Sequence, residues 1–300
     1  MTTAKPQGLF LSVDIDSLYL YLELYGGEAH EEDADEKRRL IELAYEAGVA
    51  RFVRFFDDLG VPAVFFAVGQ DLAVEGAASV LSDAVEGGHL AGNHTFSHPY
   101  DLIRLPANEA ENEIELGHKS IEAVTGIPPG IFRAPGYNMS RREYRTLERL
   151  GYRWDASPLP SYPYLMLKYS VLAYLRARGK RSRSIWGNPL MALGKREPYR
   201  KGSISVLPNA TTPYLRLPVI GTALSTAPDP LFNFMLDQMR NEPFVSLEFH
   251  AVDLMEFQLD ALPPALGAQK DLLIPLGRKQ DRFRRFIGEL LKTHKPFLPS

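Results

Sequence analysis

Gly8 to Asp14 read GLFLSVD, a short apolar run that ends at carboxylates, Asp14 and then Asp16. An apolar run without polar alternation reads as a strand buried on both faces, the kind found in parallel sheets covered by helices. The segment after it places Leu40, Leu43, Ala47, Ala50, Val53 and Phe56 three and four apart, which gives a helix one apolar face. The pattern then repeats. Residues 61–68 (VPAVFFAV) read as a second strand, 77–86 as a helix, 89–94 as a third strand and 110–124 as a helix. Residues 130–133 read as a fourth strand, 140–150 as a helix capped by Ser140, and 152–156 as a fifth strand. Farther on, Tyr214 to Ile220 (YLRLPVI) reads as a strand, 231–240 as a helix, Phe244 to His250 as the last strand and 281–292 as the last helix. This alternation, with no linker, internal repeat or low-complexity tract, predicts an α/β fold. We expect a single distorted (β/α) barrel of about seven parallel strands over residues 1–300, with an insertion at 158–210 between strands five and six.

Hydrophobic residues at 45% and charged residues at 24% exclude a disordered or multi-span membrane chain. With no cysteine, disulfides, thiolate metal sites and a cysteine nucleophile are also excluded, so any metal must be held by His, Asp or Glu. Residues 1–6 lack the basic stretch and cleavage site of a signal peptide, and no apolar run approaches the roughly 20 residues of a membrane-crossing helix. The expected location is cytoplasmic.

The net charge of −3 hides an uneven distribution. Lys168 to Lys201 holds ten Lys or Arg against one acid, Glu197, a local excess of nine, so the remainder carries −12. Part of that lies in Glu28, Glu31, Glu32, Asp33, Asp35 and Glu36. Tyrosines 162, 164, 169 and 174, Trp186 and several leucines are interspersed with the basic residues. This mixture over 162–201 suits peripheral contact with an anionic membrane, on the inner face of the cytoplasmic membrane, and equally suits a helix packed on the barrel with a solvated loop after it. Nucleic acid is not an expected partner, because the acidic remainder would repel phosphates.

Catalytic groups of such barrels gather at the carboxyl ends of strands. Here those ends carry Asp14 and Asp16, then Asn93-His94-Thr95-Phe96-Ser97-His98, Arg133-Ala134-Pro135-Gly136, Asp155, and Glu248-Phe249-His250. His94 and His98 are four apart, which on a helical turn brings both imidazoles within reach of one ion. A carboxylate from the first strand would complete a two-histidine, one-carboxylate set with positions left for water and substrate. Taken singly, Asp14 and Asp16 also read as turn caps, Arg133 as a surface ion pair and His250 as a satisfied polar residue. His30, His89, His118 and His294 read as structural or exposed.

Together these segments resemble the polysaccharide deacetylase superfamily, the chitooligosaccharide deacetylase homology (NodB-like) domain, over nearly the whole chain. The motifs are Asp14 and Asp16, HTFSH at 94–98, RAPGY at 133–137 and LEFH at 247–250. Ile15 separates carboxylates that are adjacent in most of that family, and Gly136 directly follows Pro135. In style the chain is most similar to the branch that deformylates lipid-linked aminoarabinose. The resemblance implies a divalent ion, zinc before nickel, cobalt, manganese or iron, on Asp16, His94 and His98. It implies Asp14 as general base fixed by Arg133, and His250, held by Asp155, as the group that stabilises the oxyanion and protonates the leaving amine. Because of Ile15, Asp14 and Asp16 could exchange roles. Pro135, Gly136, Tyr137 and Leu247 would meet the substrate, an N-acetyl or N-formyl amino sugar, free or lipid-linked. Alternatives are hydrolysis of a non-sugar amide or cyclic imide, and a catalytically inactive glycan- or lipid-binding protein.

Overall fold

The computed structural model describes residues 7–24, 34–179, 184, 186 and 189–299. Glu28 to Asp33, with His30, and the basic residues Lys180 to Arg183 lie outside these described residues. The strands are β1 (Gln7–Ile15), β2 (Val64–Ala67), β3 (Leu90–Asn93), β4 (Ile131–Phe132), β5 (Trp154–Asp155), β6 (Tyr199–Lys201), β7 (Ile204–Val206), β8 (Phe244–His250) and β9 (His294–Pro296). The helices are α1 (Leu18–Leu24), α2 (Ala34–Leu43), α3 (Ala50–Leu59), α4 (Glu75–Glu86), α5 (Ala107–Thr125), α6 (Arg141–Arg149), α7 (Tyr162–Ala177), α8 (Gly221–Thr226), α9 (Asp229–Met239) and α10 (Leu276–Leu290).

All strands belong to one sheet in the order β6-β7-β5-β4-β3-β2-β1-β8, with β9 beside the first residues of β1. Only the β6–β7 pair is antiparallel. Beyond β7 the chain crosses to the other edge, where Ala210 donates its N–H to the Ser246 carbonyl oxygen at 2.8 Å and Ile220 bridges Glu248 in β8. The sheet thus curls into an α/β barrel with the carboxyl ends of the parallel strands at one rim.

Pleating divides β1 and β8 cleanly. Leu9, Leu11, Val13 and Ile15, with Val245, Leu247 and Phe249, enter the large apolar core that also takes Phe52, Phe56, Phe283 and Phe286 from α3 and α10. The intervening residues Ser12, Asp14, Ser246 and Glu248 are equally buried but polar. They lie on the opposite, inner side of the sheet, since successive side chains of a strand alternate.

The sheet has nine strands among the described residues, and the eight other than β6 run parallel, in keeping with the expected barrel of about seven parallel strands. The structure corrects two expectations. YLRLPVI is not a strand: only Ile220 pairs with the sheet, and Pro213, Pro218 and the left-handed backbone of Tyr214 (φ 58°) and Arg216 (φ 50°) break the ladder. The sixth sheet position is instead filled by β7, which lies inside the segment read as an insertion and pairs with β5. No helix among the described residues is long and apolar enough to cross a membrane.

Helix α5 can approach the end of β3 only because residue 117 has no side chain. A Cβ there would lie 2.8 Å from the Thr95 carbonyl carbon and would also strike Asn93 Oδ1. Gly117→Ala should therefore cost about 1–3 kcal/mol, as overpacking in a tight core does. Urea unfolding of the two proteins measures it, and equal midpoints would refute the close approach.

Candidate functional site

The turn after β3 carries the two histidines, and it is not the helical turn expected from their spacing. Thr95 (φ 68°) and His98 (φ 59°) both adopt the left-handed backbone that side-chain-bearing residues avoid, at about 1–3 kcal/mol each. Specific anchors hold the turn. Asn93 Oδ1 accepts from the Thr95 N–H at 2.8 Å, Thr95 Oγ1 accepts from the His98 N–H at 3.1 Å, and the Glu113 carboxylate on α5 accepts from the Ser97 N–H and hydroxyl at 2.8 and 2.7 Å. Asn93 in turn donates to the Ile114 carbonyl oxygen and the Tyr152 hydroxyl. Glu113 and Asn93 were not singled out in the sequence, although Asn93 lies in the quoted strand end.

The result is a tight trio. Nε2 of His94 lies 3.4 Å and Nε2 of His98 3.3 Å from Oδ1 of Asp16, and all three side chains are buried. His94 Nδ1 donates to the Arg133 carbonyl oxygen at 2.7 Å, because a carbonyl can only accept, and this aims Nε2 at the carboxylate. Asp16 Oδ1 has no hydrogen-bond partner. Burial alone would raise the Asp16 pKa, yet the neighbouring imidazoles of His98 and His94 hold it well below the carboxylate range. Burial likewise opposes a proton on His94, and Asp14 and Asp16 outweigh it and raise that pKa. An unpartnered buried carboxylate oxygen facing two imidazole nitrogens is a donor set that fits a divalent cation.

Asp14 occupies the inner face of β1 and pairs with Arg133 Nη1 at 2.5 Å, both side chains being buried. Its other oxygen lies 3.8 Å from His94 Nε2. Arg133 also donates to the Ala156 carbonyl oxygen, Ser12 Oγ and Asn209 Oδ1, and its guanidinium lies over the Phe66 ring at 4.3 Å. His250 stands across the trio, with Nε2 4.0 Å from Asp16 and 3.7 Å from Glu248. Burial disfavours its charge, but Asp16, Glu248 and Asp14 together push its pKa up to about 9.

Asp155 does not reach His250. Its carboxylate accepts from the Tyr144 hydroxyl at 2.5 Å and from the Ser157 N–H at 2.8 Å and hydroxyl. Ser157 Oγ then accepts from the N–H of Ala134, so Asp155 braces the loop that follows Arg133. The groups beside His250 are instead Glu248, which accepts from the Tyr137 hydroxyl at 2.5 Å, and Asp253, which accepts from the His250 N–H at 2.8 Å. Glu248 could have been found in the LEFH segment: two residues before His250, it must share its face of the strand. By the same alternation Leu247 belongs to the core and does not line the cavity of the site.

Asp14, Asp16, His94, His98, His250, Gly136 and Tyr137 open into one cavity of about 510 Å³, walled further by Tyr21, Tyr100, Tyr164, Leu167, Thr222 and Asp271. Pro135 is buried and does not line it. His89 is buried, accepting from the Ala63 N–H and pairing with Asp57, and His294 is buried beside the Glu242 carbonyl oxygen. His118 contacts the Tyr152 hydroxyl.

Residues 34–154 match a family model described as polysaccharide deacetylase. That stretch holds His94, His98 and Arg133 and leaves out Asp14, Asp16, Asp155 and His250. A curated protein of Geobacillus stearothermophilus, "Uncharacterized 30.6 kDa protein in fumA 3'region", is 31% identical over 94 residues, 31% of this chain and 34% of that one. The chain thus matches about a third of the length of this relative. Among solved structures, "putative polysaccharide deacetylase from Mycobacterium smegmatis" is 15% identical, with a TM-score of 0.56 over 100% of this chain and 96% of that one. The 4-alpha-glucanotransferase from Thermococcus litoralis is 12% identical, with a TM-score of 0.54 over 94% of this chain and 38% of that one. These two likenesses concern the fold, which serves more than one chemistry. Residues 34–154 thus match the polysaccharide deacetylase family model, and the whole chain shares its fold with a structure described as a putative polysaccharide deacetylase.

One buried acid lies behind the site. Asp71 accepts from the Ser17 hydroxyl and, at 3.1 Å, from the Tyr19 hydroxyl, so it braces the turn after Asp16. Burial pushes its pKa from 3.8 up to about 7. Folded protein therefore keeps this proton to about neutrality, whereas unfolded chain loses it near 3.8. Between those values the folded state binds more protons, and stability falls as pH rises. Asp71→Asn should flatten the slope between pH 4 and 7 by on the order of 3–4 kcal/mol across the window. Urea unfolding across that range measures it, and parallel curves for the two proteins would show that Asp71 does not titrate there.

Proposed function

We propose that the protein is a metal-dependent hydrolase that removes an N-acyl group, acetyl or formyl, from an amino sugar. The observation that carries this reading is that one cavity receives three separate units: Asp16 with His94 and His98, Asp14 with Arg133, and His250. Amide hydrolysis needs an electrophilic activator, a base for the water and an acid for the departing nitrogen, and these three units match those needs. A divalent ion, zinc by preference, held by Asp16, His94 and His98 would polarise the amide carbonyl and acidify a water.

The chain's own groups then divide the proton work. Asp14 takes a proton from the attacking water on the carboxylate oxygen that Arg133 does not hold, while the guanidinium fixes the other oxygen. His250 faces the cavity from the opposite side, where it stabilises the oxyanion and gives a proton to the leaving amine. Glu248 and Asp253 hold its ring and backbone. The pairing of Asp16 with both histidines and of Asp14 with Arg133 supports Asp16 as ligand and Asp14 as base. Gly136, Tyr137, Tyr100 and Tyr164 offer a partly aromatic wall to the sugar, and the cavity volume is in the range that small-molecule sites occupy.

Three proteins test the reading: wild type, a His94→Ala, His98→Ala double variant, and His250→Ala. Wild type should hold about one divalent ion per chain and release amine from N-acetyl or N-formyl sugars, and the double variant should lose both. His250→Ala should keep the ion and lose about 100- to 10,000-fold in kcat. Elemental analysis and amine release measure these outcomes. A wild-type protein that takes up no divalent ion on reconstitution would defeat the metal reading, and undiminished turnover by His250→Ala would defeat the acid assignment.

A lipid-linked substrate and peripheral contact with an anionic membrane are the finer reading. Ten of the sixteen exposed large apolar side chains among the described residues fall in 162–215, including Met166, Leu167, Tyr174, Leu190, Leu193 and Tyr214. Leu167 is also part of the cavity wall, so this apolar surface adjoins the cavity. Leu190→Ser with Leu193→Ser should weaken cosedimentation with phosphatidylglycerol vesicles several-fold, each leucine carrying about 1.5–3 kcal/mol of transfer energy when fully buried. Equal sedimentation of variant and wild type would remove membrane contact through this segment.

A further inference from the structure

Helix α7 lies along one side of the cavity, and Lys168 is its only cation next to the wall that the cavity shares with a smaller recess. That recess is lined by Gly136, Tyr137, Asn138, Tyr164, Lys168 and Met191, among others, and contains no acidic residue. Gly136, Tyr137 and Tyr164 line both spaces. The ammonium lies against Gly136: a Cβ built on that glycine would be 3.6 Å from Lys168 Nζ and 3.4 Å from the Tyr100 ring. Tyr100 stacks edge-on with His98 at 4.6 Å between ring centres, so only one aromatic ring separates this glycine from the proposed ligand trio.

A partly buried ammonium is costly unless something answers its charge. Among the described residues Lys168 has neither an ion pair nor a hydrogen bond. Burial, with no carboxylate to oppose it, brings its pKa down to about 8, which leaves the ammonium largely protonated at neutral pH. The acids of the site, Asp14, Asp16 and Asp271, line the main cavity and not this recess. An anionic substituent on the sugar would be welcomed beside Lys168.

We propose that Lys168 is a specificity residue that binds an anionic group, phosphate or carboxylate, on the substrate, at the Gly136–Tyr137–Tyr164 edge of the cavity. The proposal rests on the amino-sugar hydrolase reading for the name of the substrate class, but its test reads binding and needs no turnover. A charge-assisted contact of this kind should tighten binding on the order of tenfold or more.

Calorimetry on the metal-reconstituted protein with N-acetylglucosamine, its 1-phosphate, its 6-phosphate and N-acetylmuramic acid is the experiment. Wild type should bind at least one of the acidic sugars on the order of tenfold tighter than the neutral one, with the preference shrinking as salt is raised. The two phosphates and the carboxylate are separate arms, so the anion and its position on the ring are read together. Lys168→Met should abolish the preference while leaving the neutral sugar's affinity unchanged, and Lys168→Arg should restore much of it. No acidic preference in wild type overturns the proposal, whatever the variants do. A preference that persists in Lys168→Met overturns it as well, and would locate the anion elsewhere in the cavity. Failure of the hydrolase reading would appear separately, as binding without amine release.

Discussion

The site is organised around a guanidinium that water does not reach. Arg133 has 0% of its surface exposed and cannot shed its proton, so the barrel interior has to answer a fixed positive charge. Asp14 answers it directly, the Ala156 carbonyl oxygen, Ser12 and Asn209 accept from Nε and Nη2, and the Phe66 ring lies beneath the cation. The consequences reach past the pair. The backbone carbonyl of the same residue accepts from His94 Nδ1 and so aims the other ring nitrogen at Asp16. The next residue, Ala134, is held by Ser157 and through it by Asp155. One side chain fixes a carboxylate while its own backbone orients an imidazole, which couples the geometries of the base and ligand candidates.

Much of this was legible in the sequence because parallel barrel strands are continuous apolar runs, and the polar residues that end them mark the rim. β2, β3, β4, β5 and β8 fall within segments read as strands, and β1 overruns its segment by one residue at each end. The misreadings share a cause, which is that local pattern does not carry backbone dihedrals or long-range partners. YLRLPVI has the hydrophobicity of a strand, but Pro218, the preceding Pro213 and its left-handed residues make it a turn. β6 and β7 are three residues each, one at the end of the basic stretch and the other just past it, too short for an apolar run to announce them. HTFSH has helical spacing, yet it is held in a strained turn by Asn93 and Glu113, residues supplied by another strand position and another helix. Asp155 was placed beside His250 by likeness to a motif, whereas the length and direction of β5 hand its carboxylate to Tyr144 and Ser157.

Charge within the cavity is partitioned by its neighbours. Asp16 is held well below the carboxylate range by two histidines, while Glu248, one strand away, is pushed upward by burial despite Arg133 and His250. Carboxylates of similar depth are thereby given different protonation behaviour, which is how one small space can hold both acceptors and donors of protons. Helix α7 and the loop at 213–218 stand outside this arrangement and close the cavity from the side. Under the proposed function, Lys168 would meet a bound ligand from this side, while the ion pairs of the strand ends would act on the bond to be cut.

The spacing of the first two carboxylates follows from the same strand geometry. In β1, Leu11, Val13 and Ile15 point into the apolar core, and Ser12 and Asp14 point into the barrel. Two adjacent carboxylates on a regular strand would face opposite sides, and one of them would be driven into the core unless the strand ended between them. Placing Ile15 between Asp14 and Asp16 lets the strand run to its end in register with β2 and β8 while both acids stay on the inner side. Ile15 is itself fully buried among core residues, so it serves the packing while its neighbours serve the cavity. The inserted residue therefore separates the two acids along the chain without separating them in space: Asp14 and Asp16 both face His94 Nε2, at 3.8 and 3.4 Å. What distinguishes them is the second partner, Arg133 for one and His98 for the other, and the proposed division into base and ligand rests on that difference, set by β4 and the turn after β3.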